Sequence, residues 1–144
     1  MIEKDTIRLL RECDAGIKMG VASIEDVIDS VESGSFRKLL SDCRAEHEEL
    51  NEKIQSLLDE YGDEGKEPNP VAKGMSWMKT SAKMALDGSD STIADLMTDG
   101  CNMGVKSLSK YLNQYKAASE ETKDIAKKLI ACESTLTQDI RQYL

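Results

Sequence analysis

Cys43 and His47 stand four residues apart in the stretch CRAEHEEL, a spacing that stacks two side chains on one face of a helix. A thiolate and an imidazole so placed can share one ion, and together they suit zinc or another borderline-soft metal. His47 is the single histidine of the chain, and Cys13, Cys101 and Cys132 bring the cysteines to four. The competing account is packing: cysteine fills cores as a small hydrophobe, and a histidine at the edge of an apolar stripe needs a hydrogen-bonding partner but no metal. No Cys-x-x-Cys pair occurs, so the expectation is free thiols in a reducing compartment. Three carboxylates join the candidate ligands. Asp14 interrupts an otherwise apolar helical stripe, where a carboxylate without a partner is costly. It is either a remnant ligand or a carboxylate that pairs with a lysine or histidine or turns slightly outward, and Asp99 and Glu133 carry the same readings. The candidate metal ligands are thus His47, Cys43, Asp14, Asp99, Cys101, Cys132 and Glu133, for zinc or iron. No catalytic or cofactor-binding residue is assigned, because the chain has no glycine-rich phosphate loop and no serine elbow.

Helices must position these side chains. Ile7, Leu10, Asp14, Ile17, Val21, Ile24, Ile28 and Val31 alternate three and four apart, and after the Gly/Ser turn ESGSF the spacing resumes with Phe36, Leu40, Cys43, His47, Leu50, Ile54, Leu57 and Tyr61. The short turn predicts an antiparallel pair. GDEGKEPNP ends the second helix, and a shorter amphipathic piece follows at 71–86, with Met75, Trp77, Met78 and Met84. The third helix starts near Thr92, capped from Ser89–Ser91, and carries Ile93, Met97, Cys101, Gly104, Leu108, Tyr111 and Tyr115. Ile125, Leu129, Cys132, Leu136, Ile140 and Tyr143 mark the last. The chain reads as one all-α domain: hairpin one at 2–61, a crossover at 62–90 and hairpin two at 91–144. About sixteen helical residues in the crossover rise about 24 Å, enough to carry the chain back along most of a bundle.

The hairpins resemble each other. GIKMGVASI at Gly16–Ile24 matches GCNMGVKSL at Gly100–Leu108, and RKLLSDCRAE at Arg37–Glu46 lies over KKLIACESTL at Lys127–Leu136. The offset grows from 84 to 90 in this alignment, which asks for six extra residues at the second turn. Each half holds a Gly-x-x-x-Gly, Gly16 with Gly20 and Gly100 with Gly104. A mid-helix glycine costs roughly 1 kcal/mol relative to alanine, so something must offset it: close approach of two backbones, or space for a ligand or ion.

The 144 residues suffice for a core without staples, and 27 acidic against 19 basic side chains give a net charge of -8. Such a field repels phosphate backbones and anionic headgroups, so neither nucleic acid nor a membrane is expected as a partner. The start MIEKDTIRLL lacks an apolar run, and the expectation is a soluble cytoplasmic protein. Met103 and Leu112, apolar beside the main stripes, suggest a homodimer or another protein partner.

Two hairpins joined by a helical crossover resemble the ferritin-like superfamily. More narrowly, Gly16 in the first helix, GMSW at Gly74–Trp77 in the crossover and Tyr111 late in the third helix are similar to a bacterial ferritin-like family of unknown function. The resemblance implies a four-helix bundle over nearly the whole chain. Di-iron members carry a Glu on one helix and Glu-x-x-His on its partner, twice over. Here Cys43-x-x-Glu46 and Glu133-x-x-Leu136 replace that motif, and one histidine cannot supply two. The departure argues against a ferroxidase centre. It leaves a non-catalytic binding or structural role, with a metal or redox protein built on a rearranged Cys/His/carboxylate site as the alternative.

Overall fold

The computed structural model describes residues 2–68 and 88–144. The expected crossover helix at 71–86, with Gly74, Met75, Trp77, Met78 and Met84, lies outside them. Four long helices make up the described chain, α1 (Ile2–Val27), α2 (Gly34–Glu60), α3 (Asp90–Gln114) and α4 (Glu120–Asp139), with single 3-10 turns at Ile28–Ser30 and Ile140–Tyr143. No strand occurs among the described residues.

Each of the last three helices starts on a serine whose hydroxyl takes an otherwise unpaired N–H of the first turn: Ser33 from Phe36, Ser89 from Thr92 and Ser119 from Thr122, all at 3.3 Å. Gly62, at φ +65°, lets α2 end by directing the N–H groups of Gly62 and Asp63 back to the carbonyls of Asp59 and Leu58.

Contacts between helix ends fix the directions. The Asp90 carboxylate at the start of α3 accepts the N–H groups of Glu32 and Ser33, at 2.8 and 2.9 Å, so α1 ends where α2 and α3 begin. At the far end Ser119 N–H donates to Thr6 Oγ1 at 2.8 Å, bringing the α3–α4 turn to the start of α1. Tyr143 returns α4 to the start of α2, its ring stacked on Phe36 with centroids 4.5 Å apart. Hence α1 and α4 run one way and α2 and α3 the other. α1 packs on α2 and α3, and α4 on α3 and α2. The chain at 61–89 therefore joins opposite ends of the bundle. Its first residues lie along α1, where Arg11 pairs with Asp63 and Lys66 with Glu12.

Most of the stripe positions expected from spacing are buried, but Ile7, Val21, Tyr111, Tyr115 and Tyr143 are only half-buried, and Thr6, Leu9 and Cys13 are buried instead. α1 stops at Val27, so Ile28 belongs to a 3-10 turn and Val31 to extended chain. The buried stripe of α2 ends on Leu58, leaving Tyr61 36% exposed. Leu112 packs against the core, so of the two apolar residues thought to favour association only Met103 is exposed. No helix among the described residues is long and apolar enough to cross a membrane.

The interior falls into two apolar clusters. One, around Phe36, Leu40, Ile93 and Ile140, contains Cys43, Cys101 and Cys132; the other, around Leu10, Ile17, Ile54 and Leu129, contains Cys13. Between them lies a polar layer.

Candidate metal centre

Helical spacing on α2 brings Cys43 and His47 together, and α4 supplies Cys132 from the facing stripe. His47 Nδ1 lies 3.6 Å from Cys43 Sγ and 3.7 Å from Cys132 Sγ, and the two sulfurs are 3.5 Å apart. All three residues are buried, at 6% and 7% exposure for Cys43 and Cys132 and 2% for His47. Bond lengths of ~2.3 Å to sulfur and ~2.05 Å to nitrogen place the vertices of a tetrahedral zinc about 3.8 Å apart between sulfurs and about 3.6 Å between sulfur and nitrogen. The three measured separations fall within about 0.3 Å of that triangle. Among the described residues this is the group of donors that could hold a metal, and it closes at three.

His47 has two distinct sides. Nδ1 sits 2.9 Å from the carbonyl oxygen of Cys43, which can only accept, so Nδ1 carries a proton. Nε2 faces Glu133 Oε1 at 3.6 Å, an ion-pair distance. Burial by itself would lower the pKa of His47; its contacts with Cys132, with Glu133 and with the Cys43 carbonyl outweigh that and hold it up to about 10. Metal-free, the ring is a cation clamped between a carbonyl and a carboxylate. The thiols oppose ionisation. Cys132 is pushed well above the usual range by its bond with Cys43 and by burial, and burial followed by the charge of Glu133 pushes Cys101 up to about 12.

Two glycines make the polar layer fit. A Cβ on Gly20 would stand 3.0 Å from His47 Nε2, and one on Gly104 would collide with the Glu133 carboxylate, 2.8 Å from its carboxyl carbon. Gly16 and Gly100 have nothing within 4 Å. The glycine pairs are therefore neither backbone contacts nor room for a ligand: one glycine of each pair accommodates a polar side chain of the same hairpin, His47 or Glu133. Oε2 of Glu133 is buried with no hydrogen-bond partner among the described residues.

The same geometry corrects the repeat. Gly20 faces His47 and Gly104 faces Glu133, while the capping serines Ser33 and Ser119 stand 86 positions apart, as do His47 and Glu133. The second helices thus match at an offset of 86, not 90, and the second turn is longer by two residues instead of six. Aligning RKLL with KKLI by identity missed this; aligning the two capping serines finds it.

The remaining candidates are placed elsewhere. Asp14 is fully buried outside the three-donor group, accepting from Gln55 Nε2 at 2.8 Å, Lys66 N–H at 2.9 Å and Lys18 Nζ at 3.1 Å. It is the partnered carboxylate of those readings. Asp99 is exposed on α3. Cys101 is buried in the cluster of Cys43 and Cys132, outside the three-donor group. All four cysteines are free thiols, as expected.

The sequence reading did not foresee the surface above the thiols. A groove of about 260 Å3 runs between α2 and α4, lined by Cys43 and Cys132 together with Asp42, Glu46 and Asp139. Its signal was present, since Asp42 and Glu46 flank Cys43 one before and three after, and Asp139 follows Cys132 by two helical turns. Comparison with protein-family models, with curated proteins and with solved structures found no match to this chain.

Proposed function

We propose that this chain is a metal-binding four-helix bundle of the ferritin-like plan, holding one zinc-class ion between α2 and α4 through Cys43, His47 and Cys132. The observation that carries this reading is the triangle of donors, whose edges of 3.5, 3.6 and 3.7 Å suit a tetrahedral ion. Glu133 supports it from behind, because a metal-bound imidazole characteristically donates its other N–H to a carboxylate that fixes its orientation. The parallel course of α2 and α3, with 61–89 linking opposite ends of the bundle, supports the ferritin-like plan. Within that plan the paired Glu-x-x-His motifs are replaced by a mixed thiol and imidazole set, which favours zinc over a di-iron centre. Loading requires the Nδ1 proton to leave and the ion to take its place beside the Cys43 carbonyl.

Metal analysis by mass spectrometry on untagged protein from metal-replete medium tests the reading, with Cys43→Ala and His47→Ala alongside. One ion per chain in the wild type and none in either variant is the expected result. Metal-free wild type that takes up no zinc, and whose stability is indifferent to chelator, overturns it in favour of a scaffold acting through its surface, as a homodimer or on a protein partner.

A further inference from the structure

The donor triangle lies beneath the groove between α2 and α4, and two of its three donors line that groove. Cys43 and Cys132 both line the groove and are more than nine-tenths buried. Above the sulfurs the lining carries the carboxylates of Asp42, Glu46 and Asp139 and, among the described residues, no lysine or arginine. A concave surface of one sign, walled by low-dielectric protein, focuses the field and raises the local concentration of the opposite ion. Lys38 lies 2.9 Å from Asp42 on the exposed face of α2 and partly offsets that carboxylate, and Arg37 and Arg44 line the adjoining surface that Asp42 shares.

From this arrangement we propose that the α2–α4 groove is the cation-selecting mouth of the centre, through which a hydrated divalent ion reaches Cys43, Cys132 and His47. The proposal rests on the metal-binding reading. Asp42, Glu46 and Asp139 act on the approach and not as ligands: they set how fast the ion arrives, while the three donors beneath set how tightly it stays. Departure of the ion follows the same path, so the centre exchanges with solvent instead of being sealed at folding.

The test uses the full metal-free chain and two thiol reagents of opposite charge, a trimethylammonium-ethyl and a sulfonatoethyl methanethiosulfonate, with each rate divided by that reagent's rate with a small free thiol. Each forms a mixed disulfide with a cysteine and expels methanesulfinate. Peptide mapping reads which cysteine is modified. Cys43, which lines the groove, should react ahead of Cys13 and Cys101, and its normalised rate with the cationic reagent should exceed that with the anionic one at least tenfold at low salt. Asp42→Asn/Glu46→Gln/Asp139→Asn should reduce that preference to the value for a small free thiol, and Lys38→Ala, which unmasks Asp42, should raise it. In the metal arm, zinc passed from a chromophoric chelator should load at least tenfold more slowly into the triple variant than into wild type at low salt, and at equal rates in 0.5 M salt. Equal labelling of all four cysteines, a reagent preference that survives neutralisation, or unchanged zinc loading overturns the mouth. Failure of zinc to protect Cys43 from labelling overturns instead the metal-binding reading, on which the charge preference of the reagents does not depend.

Discussion

Zinc binding at this centre should be among the more pH-dependent properties of the protein, and the expected size follows from who holds the protons. Without metal, His47 keeps both ring protons until about pH 10, and Cys132 keeps its thiol proton beyond that. His47 must give up one ring proton and Cys132 its thiol proton for these donors to coordinate, since a metal takes thiolate and neutral imidazole. One zinc therefore displaces at least about two protons near neutrality, from His47 and Cys132, and Kd should fall at least about a hundredfold for each pH unit between pH 6 and 8. Competition against a chromophoric chelator gives the slope, and calorimetry in two buffers of different ionisation heat counts the protons directly. Glu133→Gln refines the test. Removing the carboxylate opposite Nε2 lets burial pull the pKa of His47 down, so fewer protons are released at pH 7.5, while affinity at high pH falls about 10- to 100-fold with the loss of the orienting partner. Release of one proton or none by the wild type would refute the proposed donor set.

Further outcomes follow from the same layer and its surroundings. In chelator, His47 has a folded pKa raised from 6.5 to about 10, so its contribution to stability is fully present below pH 6.5 and is lost as pH rises through about 10; denaturant midpoints across that window check the sign. Gly104→Ala should destabilise wild type by about 1–3 kcal/mol, because the added methyl displaces a buried carboxylate, yet should stabilise a Glu133→Ala background by up to about 1 kcal/mol through helix propensity. Gly16→Ala and Gly100→Ala, with open space at Cβ, should each stabilise by up to about 1 kcal/mol in thermal unfolding. Asp14→Ala strands Gln55 and the Lys66 N–H and should cost about 3 kcal/mol while leaving zinc stoichiometry untouched, which separates this buried carboxylate from the centre.

The fold was legible because its signals are local. Helical spacing located every long helix of the described chain, and the Ser and Gly residues around the turns marked the ends, Ser89 at the start of α3 being one such cap. The site was legible only as a list of residue types. Cys43 and His47 lie on one helix, so their meeting is written in a spacing of four; Cys132 comes from another helix 89 residues away, and only packing decides that it, and not Cys101, completes the triangle. Asp14 shows the converse. Its place on an apolar stripe suited a ligand, but its partners Gln55 and the Lys66 backbone arrive from α2 and the chain beyond it, at separations no periodicity encodes. The glycines were misread for a related reason: a gap in a helix surface shows that something fits there, and the sequence does not say whether it is a backbone or a side chain.

The meeting of His47 with Glu133 bears on how two such hairpins choose their company. Each hairpin offers the same surface to the other, a glycine on its first helix and a polar side chain on its second, and a surface of that kind could pair with its own copy from another chain. In such a pairing His47 would face His47, or Glu133 would face Glu133, placing like charges together in a dry interior. Only the unlike pairing brings opposite charges together, so the charge difference at this one matched position favours the pairing of unlike hairpins over that of like ones.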